Sequence, residues 1–420
     1  MVLDIRITPR RLQGSLSAIT SKSDAHRALI CACLSDSETK IRIDATSKDI
    51  DATISCIEKM GGKVEKNDNF YVVTPICKNK NSPVLDCCES GSTLRFLFPV
   101  ANLVCINPTF IGRGRLPERP LSPLREEMES HGCKIIGDAL PVTTQGQLRG
   151  GTYRLAGNIS SQFISGLLFA LPLCKEDSKI ILTTPLESKG YVNMTLKTLE
   201  TFGIKIKVIE NEYIIKGNQK YISPKMLAAE GDWSNAAFWL CAGAINGEIN
   251  IYNLNFDSCQ DDKQIISILE SFGAKVKKNK NGAHVKKGKL NKIQLDCTDI
   301  PDLVPIISAV ASVAEGETVL TGVKRLRLKE SDRLEAVTNT LSKLGADIYS
   351  TDSSLTIRGK KELNGGIAHG CNDHRIVMMA AIASSVCRNE VTICGAEAVE
   401  KSYPEFFNHF KLLGGVVDVL

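Results

Sequence analysis

The chain has 420 residues, of which 43% are hydrophobic and 24% charged, and its formal net charge is +5. This length is too great for one ordinary core and predicts two domains of about 200 residues each. The composition excludes fibrous, disordered and miniature scaffolds, and the slight net charge argues against a dedicated nucleic-acid binder.

The N-terminal residues contain no basic region followed by an apolar run, so neither a secretory signal nor a transit peptide is expected. No apolar stretch approaches the roughly 18 to 20 residues that a membrane span requires. The 15 cysteines are an odd number without any C-x-x-C pair, which favours a reducing compartment and argues against a structural metal site. We therefore expect a cytoplasmic protein without a metal, in which most thiols are small core residues.

A segment in which a helix-like stretch ends in glycine and a strand-like stretch follows recurs six times. The glycines lie 69 to 72 residues apart, at Gly61, Gly132, Gly203, Gly273, Gly345 and Gly414. Glycine can close the last turn of a helix in the left-handed conformation, where a side chain would clash. The pattern predicts six similar structural units.

An apolar helix is also predicted earlier in each repeat. These helices cover residues 24–33, 93–103, 162–171, 233–244, 303–313 and 375–386. Strand pairs such as 63–73 and 205–215 follow the glycines, so each repeat has the order βαβαββ. The fold class predicted is α/β, with two domains of three βαβαββ units each and pseudo-threefold symmetry within a domain.

Two segments, 8–14 and 223–232, have the composition of crossovers between domains. We predict one domain from residues 1–13 and 230–420 and another from residues 14–229, joined by a two-strand hinge that would allow closure. The densest basic stretch, 275–292, contains eight lysines. It is predicted to be a solvated strand-turn-strand whose lysines protect a sheet edge.

Small and hydroxylated residues mark three helix starts in the first half of the chain, in the segments 21–27, 89–95 and 157–162. The unpaired N–H groups of a helix start attract anions, although any one of these segments alone could be an ordinary capped surface helix. Their recurrence at corresponding positions predicts a site for an anionic ligand.

Other segments combine arginine or lysine with carboxylates. They are residues 112–121, 299–302, 329–333, 372–375 and 400–404. Arginine can bind a carboxylate or phosphate through two parallel hydrogen bonds, so these segments suit a substrate that contains both groups. Taken singly, each could equally form a solvated salt bridge.

Nine segments occur in the order typical of one family: SKSDAHRAL, SGSTLRF, LPERPLSPL, ISSQFISGLL, LESKGY, TDIPDLVP, LKESDRL, NDHR and EKSYPEFF. In these segments the chain resembles the 5-enolpyruvylshikimate-3-phosphate synthase family, the 3-phosphoshikimate 1-carboxyvinyltransferases, over essentially its whole length. The resemblance implies two inside-out α/β domains, in agreement with the repeat count.

The resemblance also implies the reaction. The family transfers the enolpyruvyl group of phosphoenolpyruvate to the 5-hydroxyl of shikimate 3-phosphate and releases phosphate through a tetrahedral intermediate, in the shikimate pathway of aromatic amino acid biosynthesis. It uses no cofactor. The expected partners are therefore the two small substrates, without nucleic acid or membrane, and the chain is expected to be a monomer.

Site residues follow from the resemblance. Those implied for shikimate 3-phosphate are Lys22, Ser23, Arg27, Ser160, Ser161, Gln162, Ser188, Asp302 and Lys329. Those implied for phosphoenolpyruvate are Lys22, Gly91, Arg119, Gln162, Arg333, Arg375 and Lys401. Tyr191 and His374 are expected at the rim as supporting residues.

Three residues are assigned to proton transfer. Asp302 is expected to be the base on the 5-hydroxyl, Glu330 the proton donor to the methylene group, and Lys22 a charge stabiliser and possible acid for the leaving phosphate. The division of the transfers among these three residues stays open.

Two residues depart from the family pattern. Glu89 stands where the family often has Asn, and Arg325 stands where several members have a neutral amide. Both put local substrate affinity in doubt. Gly91 keeps the space that the family's inhibitor glyphosate uses, so we expect sensitivity to glyphosate.

Two other functions are considered. UDP-N-acetylglucosamine enolpyruvyl transferases share the fold and the donor, but that family has a Cys in the loop corresponding to residues 113–119, and this chain has none there. A non-catalytic scaffold that binds a polyanion would spread basic residues along its faces. Here they stand beside Asp302 and Glu330 at helix starts, which favours an enzyme.

Overall fold

The computed structural model describes residues 3–76 and 82–420. Its 24 described strands are β1 (Ile5–Thr8), β2 (Gln13–Ser17), β3 (Thr39–Arg42), β4 (Lys63–Asn67), β5 (Phe70–Thr74), β6 (Val84–Asp86), β7 (Thr109–Ile111), β8 (Cys133–Ile136), β9 (Val142–Gly146), β10 (Thr152–Leu155), β11 (Ser178–Leu182), β12 (Ile206–Ile209), β13 (Glu212–Ile215), β14 (Met226–Ala228), β15 (Glu248–Tyr252), β16 (Lys275–Asn279), β17 (Gly282–Lys286), β18 (Gln294–Asp296), β19 (Glu317–Thr321), β20 (Asp347–Ser350), β21 (Ser354–Arg358), β22 (Gly366–His369), β23 (Val391–Cys394) and β24 (Val416–Val419).

The α-helices of the described residues alternate with these strands. They are α1 (Lys22–Cys33), α2 (Lys48–Lys59), α3 (Gly91–Val104), α4 (Leu124–Ser130), α5 (Ser161–Ala170), α6 (Lys189–Thr201), α7 (Trp233–Asn246), α8 (Ile265–Phe272), α9 (Val304–Ala311), α10 (Arg333–Lys343), α11 (His374–Ala383) and α12 (Phe406–Leu412). The six apolar helices expected from the sequence correspond to α1, α3, α5, α7, α9 and α11.

The described residues pack into two compact units. The N-terminal unit consists of residues 22–229, and the C-terminal unit of residues 3–21 and 230–420. Ending the first segment at residue 13 was wrong, because β2 pairs in parallel with β15 and Thr20 forms a β-bridge with Gly231. Residues 14–21 therefore belong to the C-terminal unit.

Each unit contains three four-stranded sheets among the described residues. The orders are β14-β3-β5-β4, β6-β7-β9-β8 and β10-β11-β13-β12 in the N-terminal unit, and β16-β17-β15-β2, β18-β19-β21-β20 and β22-β23-β1-β24 in the C-terminal unit. In every sheet one neighbouring pair is parallel and the others are antiparallel. This topology confirms the predicted βαβαββ repeat.

The glycines that mark the repeat all adopt the left-handed conformation, with φ between 78° and 100°. Gly273, for example, follows the last residue of α8 as its C-cap and precedes β16. A residue with a side chain is disfavoured at such a φ, which explains why the same residue type recurs at six helix ends.

Apolar helices form the centre of each unit. In the C-terminal unit α7, α9 and α11 contact one another, and in the N-terminal unit α3 contacts both α1 and α5. Helices that are apolar on all sides, such as α5 and α9, are stable only where they are buried on all sides. The sheets lie outside these helices, so each unit has its helices on the inside and its sheets on the outside.

The lysine-rich stretch forms β16 and β17, and β16 is the edge strand of its sheet. This confirms the predicted strand-turn-strand. All 14 described cysteines are free thiols, and most of them are buried. Among the described residues, no helix is long and apolar enough to cross a bilayer, and no group of three or more His, Cys, Asp or Glu residues is arranged for a metal ion.

Candidate active site

The predicted site residues of the N-terminal unit lie at the starts of its buried helices. Lys22 begins α1, Gly91 begins α3 and Ser161 begins α5. Ser90 and Ser160 are the N-caps of α3 and α5. These caps satisfy some of the N–H groups at the helix starts, and the helix dipoles still favour an anion there.

Lys22 is held by a residue that the sequence analysis did not identify. Its Nζ lies 2.7 Å from Oδ2 of Asp49, and the two side chains are only 14% and 13% exposed. Asp49 is in the first turn of α2, two residues after the N-cap Ser47. The ion pair fixes the Lys22 ammonium at the start of α1.

Arg27 links Ser23 with Tyr191. Its Nη1 donates to the carbonyl of Ser23 at 2.5 Å, and its Nη2 donates to the carbonyl of Tyr191 at 2.8 Å. Nε donates to Oγ1 of Thr195 at 2.9 Å. Burial lowers the pKa of Arg27 to about 10, which leaves the guanidinium charged at neutral pH. Two residues expected at shikimate 3-phosphate, Ser23 and Arg27, thus lie together with Tyr191, which was expected as a supporting residue.

Gln162 is oriented by two residues of α3. Its Oε1 accepts from Nη1 of Arg95 at 2.8 Å, and its Nε2 donates to Oγ of Ser92 at 2.9 Å. Arg95 also donates to the carbonyl of Pro120 at 3.2 Å, next to Arg119. Arg95 lies in the SGSTLRF segment, and its charge within an otherwise apolar helix is the sequence signal that could have marked it as a site residue.

Gly91 lies directly beneath two guanidinium groups. A Cβ added to Gly91 would lie 2.7 Å from Nη1 of Arg119 and 2.9 Å from Nη1 of Arg95. Only a residue without a side chain permits this approach. Glu89, the unusual carboxylate of this segment, lies against Gly114, where an added Cβ would overlap it.

The remaining predicted serines stand at helix starts. Ser161 is 7% exposed, and Ser188 is 2% exposed and precedes α6. Ser188 has φ 56° and ψ 49°, a left-handed conformation that is uncommon for a residue other than glycine. Strained positions of this kind occur preferentially at functional sites.

In the C-terminal unit the predicted residues are arranged around Arg333, whose side chain is 1% exposed. Its guanidinium contacts three carboxylates, with Nη1 2.8 Å from Asp302, Nη2 2.5 Å from Glu330 and Nε 2.9 Å from Asp373. Burial alone would lower the pKa of Arg333, but the three carboxylates outweigh it and raise the pKa. Arg333 therefore stays charged.

Asp302 also contacts two other cations. Nη2 of Arg375 lies 3.2 Å from its Oδ2, and Nζ of Lys329 lies 3.5 Å from its Oδ1. Nη1 of Arg375 donates to the carbonyl of Asp302 at 3.1 Å. Burial lowers the pKa of Lys329, with Asp302 opposing the shift and Arg333 adding to it.

Asp373 organises the start of α11. It is the N-cap of this helix, and its Oδ1 accepts from the backbone N–H of Arg375 at 2.9 Å. Nearby, Nζ of Lys401 donates to the carbonyl of Asn372 at 2.7 Å. His374, expected as a supporting residue at the rim of the site, is the first residue of this buried helix and is only 2% exposed.

Arg325 and Asp262 interact electrostatically with Lys329 and Asp302, respectively. Arg325 donates through Nη2 to the carbonyl of Thr298 at 2.8 Å, and its charge contributes to the lowered pKa of Lys329. Asp262, which the sequence analysis missed, is 3% exposed and accepts a hydrogen bond from Ser234. Burial and the charge of Asp302 raise the pKa of Asp262 to about 7.

The two units thus offer different chemistry. The helix starts at Lys22, Gly91 and Ser161, together with the guanidinium groups of Arg27 and Arg119, suit the binding of anions. Asp302 and Glu330 on one guanidinium suit proton transfer.

Comparison with known proteins identifies the family. The family model of EPSP synthase (3-phosphoshikimate 1-carboxyvinyltransferase) matches residues 7–410. A 3-phosphoshikimate 1-carboxyvinyltransferase of Clostridium perfringens is 46% identical over 417 residues, which are 98% of each chain. One of Clostridium novyi is 42% identical and covers 99% of this chain and 98% of its own.

Solved structures have the same fold. An EPSP synthase from Acinetobacter baumannii superposes with a TM-score of 0.83 at 24% identity, with 100% of both chains covered. The enolpyruvyl transferase NikO from Streptomyces tendae superposes with a TM-score of 0.81 at 14% identity, with 100% of this chain and 99% of that chain covered. The fold predicted from the sequence is therefore confirmed, and the chain belongs to the EPSP synthase family.

Proposed function

We propose that the chain transfers the enolpyruvyl group of phosphoenolpyruvate to the 5-hydroxyl of shikimate 3-phosphate, with release of phosphate. The observation that carries this proposal is the pair of carboxylates, Asp302 and Glu330, on the single guanidinium of Arg333. Full-length similarity to 3-phosphoshikimate 1-carboxyvinyltransferases supports the choice of substrates.

Substrate charge explains the cationic residues. The two substrates together have two phosphates and two carboxylates, which require several fixed cations and helix starts. We assign shikimate 3-phosphate to Lys22, Ser23, Arg27, Ser160, Ser161, Gln162, Ser188, Asp302 and Lys329. We assign phosphoenolpyruvate to Lys22, Gly91, Arg119, Gln162, Arg333, Arg375 and Lys401.

In the addition step the 5-oxygen of shikimate 3-phosphate forms a bond to C2 of phosphoenolpyruvate. The hydroxyl proton passes to Asp302, and the methylene carbon receives a proton from Glu330. Arg333 favours the ionised form of Glu330, so Glu330 has to take up its proton when the anionic substrates bind. Their negative charge raises its pKa and favours this uptake.

In the elimination step the bond between C2 and the phosphate oxygen breaks. Lys22 donates a proton to the leaving phosphate, and the new methyl group returns a proton to the Glu330 carboxylate, which restores the double bond. The ion pair with Asp49 positions the Lys22 ammonium for this role. At this point Asp302 holds the proton of the 5-hydroxyl, and Lys22 lacks the proton that it gave to phosphate. Release of one proton from Asp302 to solvent and uptake of one proton by Lys22 from solvent restore both residues, so that over the cycle one proton moves from the substrate hydroxyl to phosphate.

Phosphate release tests the proposal. The chain is incubated with phosphoenolpyruvate and either shikimate 3-phosphate or UDP-N-acetylglucosamine, and phosphate is measured. We expect turnover with the first acceptor alone. Turnover only with UDP-N-acetylglucosamine would identify the sister activity, and the absence of turnover with shikimate 3-phosphate would overturn the proposal.

We also infer that the chain acts as a monomer in the cytoplasm. The buried free thiols suit a reducing compartment. Sedimentation analysis of the purified chain and fractionation of the source cells test these two statements, and a stable dimer or a membrane-associated pool would contradict them.

A further inference from the structure

A row of buried side chains connects α1 with the start of α3. His26 is 0% exposed, and its Nδ1 lies 2.7 Å from Oγ1 of Thr53 in α2. Oγ1 of Thr53 lies 2.6 Å from Oγ1 of Thr93, which in turn lies 2.7 Å from Oγ of Ser90. We call these four residues, His26, Thr53, Thr93 and Ser90, the hydroxyl relay.

The hydroxyl relay runs beside residues assigned to phosphoenolpyruvate. His26 is one helical turn after Lys22 on α1, and Thr53 is one turn after Asp49 on α2. Oγ1 of Thr93 also lies 3.4 Å from the carbonyl of Asp49. At its other end Ser90 immediately precedes Gly91. The relay therefore joins the segment that holds Lys22 to the segment under Arg119.

Hydrogen-bond accounting gives the relay a direction. Oγ of Ser90 accepts from the backbone N–H of Thr93 at 3.2 Å and from its hydroxyl, and the carbonyl of Asp49 can only accept. The Thr93 hydroxyl has a single hydrogen, which it donates to Oγ of Ser90 or to the carbonyl of Asp49. Thr53 must then donate to Thr93, and Nδ1 of His26 must donate to Thr53.

This direction implies a neutral imidazole with its hydrogen on Nδ1. Burial, followed by the charges of Lys22 and Arg27, lowers the pKa of His26 well below its usual value. Nε2 is buried and has no hydrogen-bond partner among the described residues. In this tautomer Nε2 is an unprotonated acceptor, so no ring N–H is left unpaired.

We propose that His26 is a positioning residue whose Nδ1–H, through Thr53 and Thr93, holds Ser90 and thereby the first turn of α3 in place for phosphoenolpyruvate. The proposal rests on the proposed function, because Gly91 and Lys22 matter only if this substrate binds beside them. It assigns no substrate contact to His26. Shikimate 3-phosphate is assigned on α1 to Lys22, Ser23 and Arg27 and elsewhere to residues such as Ser160, Ser161 and Ser188, none of which is a member of the relay, so its binding should depend less on the relay.

The test compares four single variants and one double variant. His26→Leu removes the donor, Thr53→Val removes the hydroxyl at nearly constant shape, and His26→Asn supplies an amide N–H near the position of Nδ1. Thr198→Val is the control, because Thr198 is a buried threonine of the same unit whose hydroxyl donates only to its own helix, at Met194.

We expect His26→Leu and Thr53→Val each to raise KM for phosphoenolpyruvate about tenfold, roughly the effect of losing one buried hydrogen bond. KM for shikimate 3-phosphate should change less than about twofold. In His26→Asn the KM for phosphoenolpyruvate should lie much closer to the wild-type value than in His26→Leu. Thr198→Val should change neither KM. The double variant of His26→Leu and Thr53→Val should be no worse than either single one, because both break one relay.

Three kinetic outcomes would overturn the proposal: an unchanged KM for phosphoenolpyruvate in both relay variants, equal losses for both substrates, or an equal loss in Thr198→Val. If His26→Leu does not fold, the nearly isosteric Thr53→Val still decides. A merely structural role would not produce the KM split or the rescue by Asn.

Nitrogen NMR of ¹⁵N-histidine-labelled protein tests the relay without turnover. Six histidines give signals, and the signal lost in His26→Asn identifies His26. We expect the Nδ1–H tautomer, unchanged between about pH 6 and 8. An Nε2–H tautomer or a titration in this range would overturn the relay. Failure of the wild-type chain to turn over, with the tautomer as expected, would instead refute the proposed function.

Discussion

Nη1 of Arg333 lies 2.8 Å from Oδ1 of Asp302, and the arginine side chain is 1% exposed. The same oxygen faces Lys329 at 3.5 Å, and the other carboxylate oxygen faces Arg375 at 3.2 Å. Three cations around one carboxylate stabilise its ionised form, which is the form that can accept a proton, but they also weaken it as a base. Asp302 can therefore act as a base once the anionic substrates offset part of the surrounding positive charge.

Asp302→Asn tests this role. The amide keeps the shape and an acceptor for Arg333 but cannot take a proton, so kcat should fall about a hundred- to ten-thousandfold. Binding of both anionic substrates, measured by calorimetry, should persist because a negative charge has been removed. Asp296→Asn is the control, since Asp296 binds only Thr298 in this part of the structure. Wild-type turnover in Asp302→Asn would exclude Asp302 as the base.

The second prediction concerns stability. Arg333→Met should lower the free energy of unfolding by about 3 to 5 kcal/mol, because it leaves Asp302, Glu330 and Asp373 without their shared cation. Arg358→Met should change it by less than about 1 kcal/mol, since the pair of Arg358 with Glu317 is 58% and 43% exposed. Urea unfolding measures both. Equal losses of unfolding free energy in the two variants would mean that the burial of Arg333 with its three carboxylates does not add to stability.

Sequence information was sufficient for the features that depend on local conformation. The repeated glycines were recognisable because each helix end needs a left-handed residue, and Gly273 illustrates this at the end of α8. The apolar helices were recognisable because no exposed helix is apolar on every side. The first domain boundary was placed too early, since the pairing of β2 with β15 joins residues more than 200 positions apart.

The functional residues that were missed depend on tertiary contacts. Asp49 and Asp262 look like ordinary acidic residues near helix starts, and only the fold brings one to Lys22 and places the other within the field of Asp302. For His374 the sequence predicted a supporting position at the rim of the site, but not how completely the residue is buried. Its burial follows from the position of α11 at the centre of its unit.

The third prediction is a pH dependence of stability from Asp262. Burial and then the charge of Asp302 raise the pKa of Asp262 from 3.8 to about 7. Between these values the folded chain binds a proton that the unfolded chain has released, so this contribution to stability falls as pH rises from about 4 to about 7. It is complete below about pH 4 and lost above about pH 7.

Asp262→Asn should remove this dependence, because an amide does not titrate and still accepts from Ser234. Between pH 5 and 8 the free energy of unfolding of the variant should exceed that of wild type by on the order of a few kcal/mol. Thermal unfolding across this range measures the difference. Asp352→Asn, at a side chain that is 99% exposed, is the control and should follow wild type. A variant curve parallel to that of wild type would show that Asp262 does not titrate there.

The last prediction concerns Gly91. In Gly91→Ala the added Cβ would lie 2.7 Å from Nη1 of Arg119 and 2.9 Å from Nη1 of Arg95, and both guanidinium groups would have to move. The ends of long side chains can shift, so the fold should persist while KM for phosphoenolpyruvate rises about ten- to a hundredfold. KM for shikimate 3-phosphate is the internal control and should stay nearly constant.

Glyphosate extends the same test, since we expect it to occupy the space beside Gly91. Millimolar glyphosate should inhibit the wild-type chain in competition with phosphoenolpyruvate, and Gly91→Ala should weaken this inhibition more than it weakens substrate binding. The reason is that the methyl group fills space that an inhibitor in direct contact with Gly91 needs in full. Steady-state inhibition at several phosphoenolpyruvate concentrations measures both effects. A wild-type chain that millimolar glyphosate leaves fully active would contradict the assignment of Gly91.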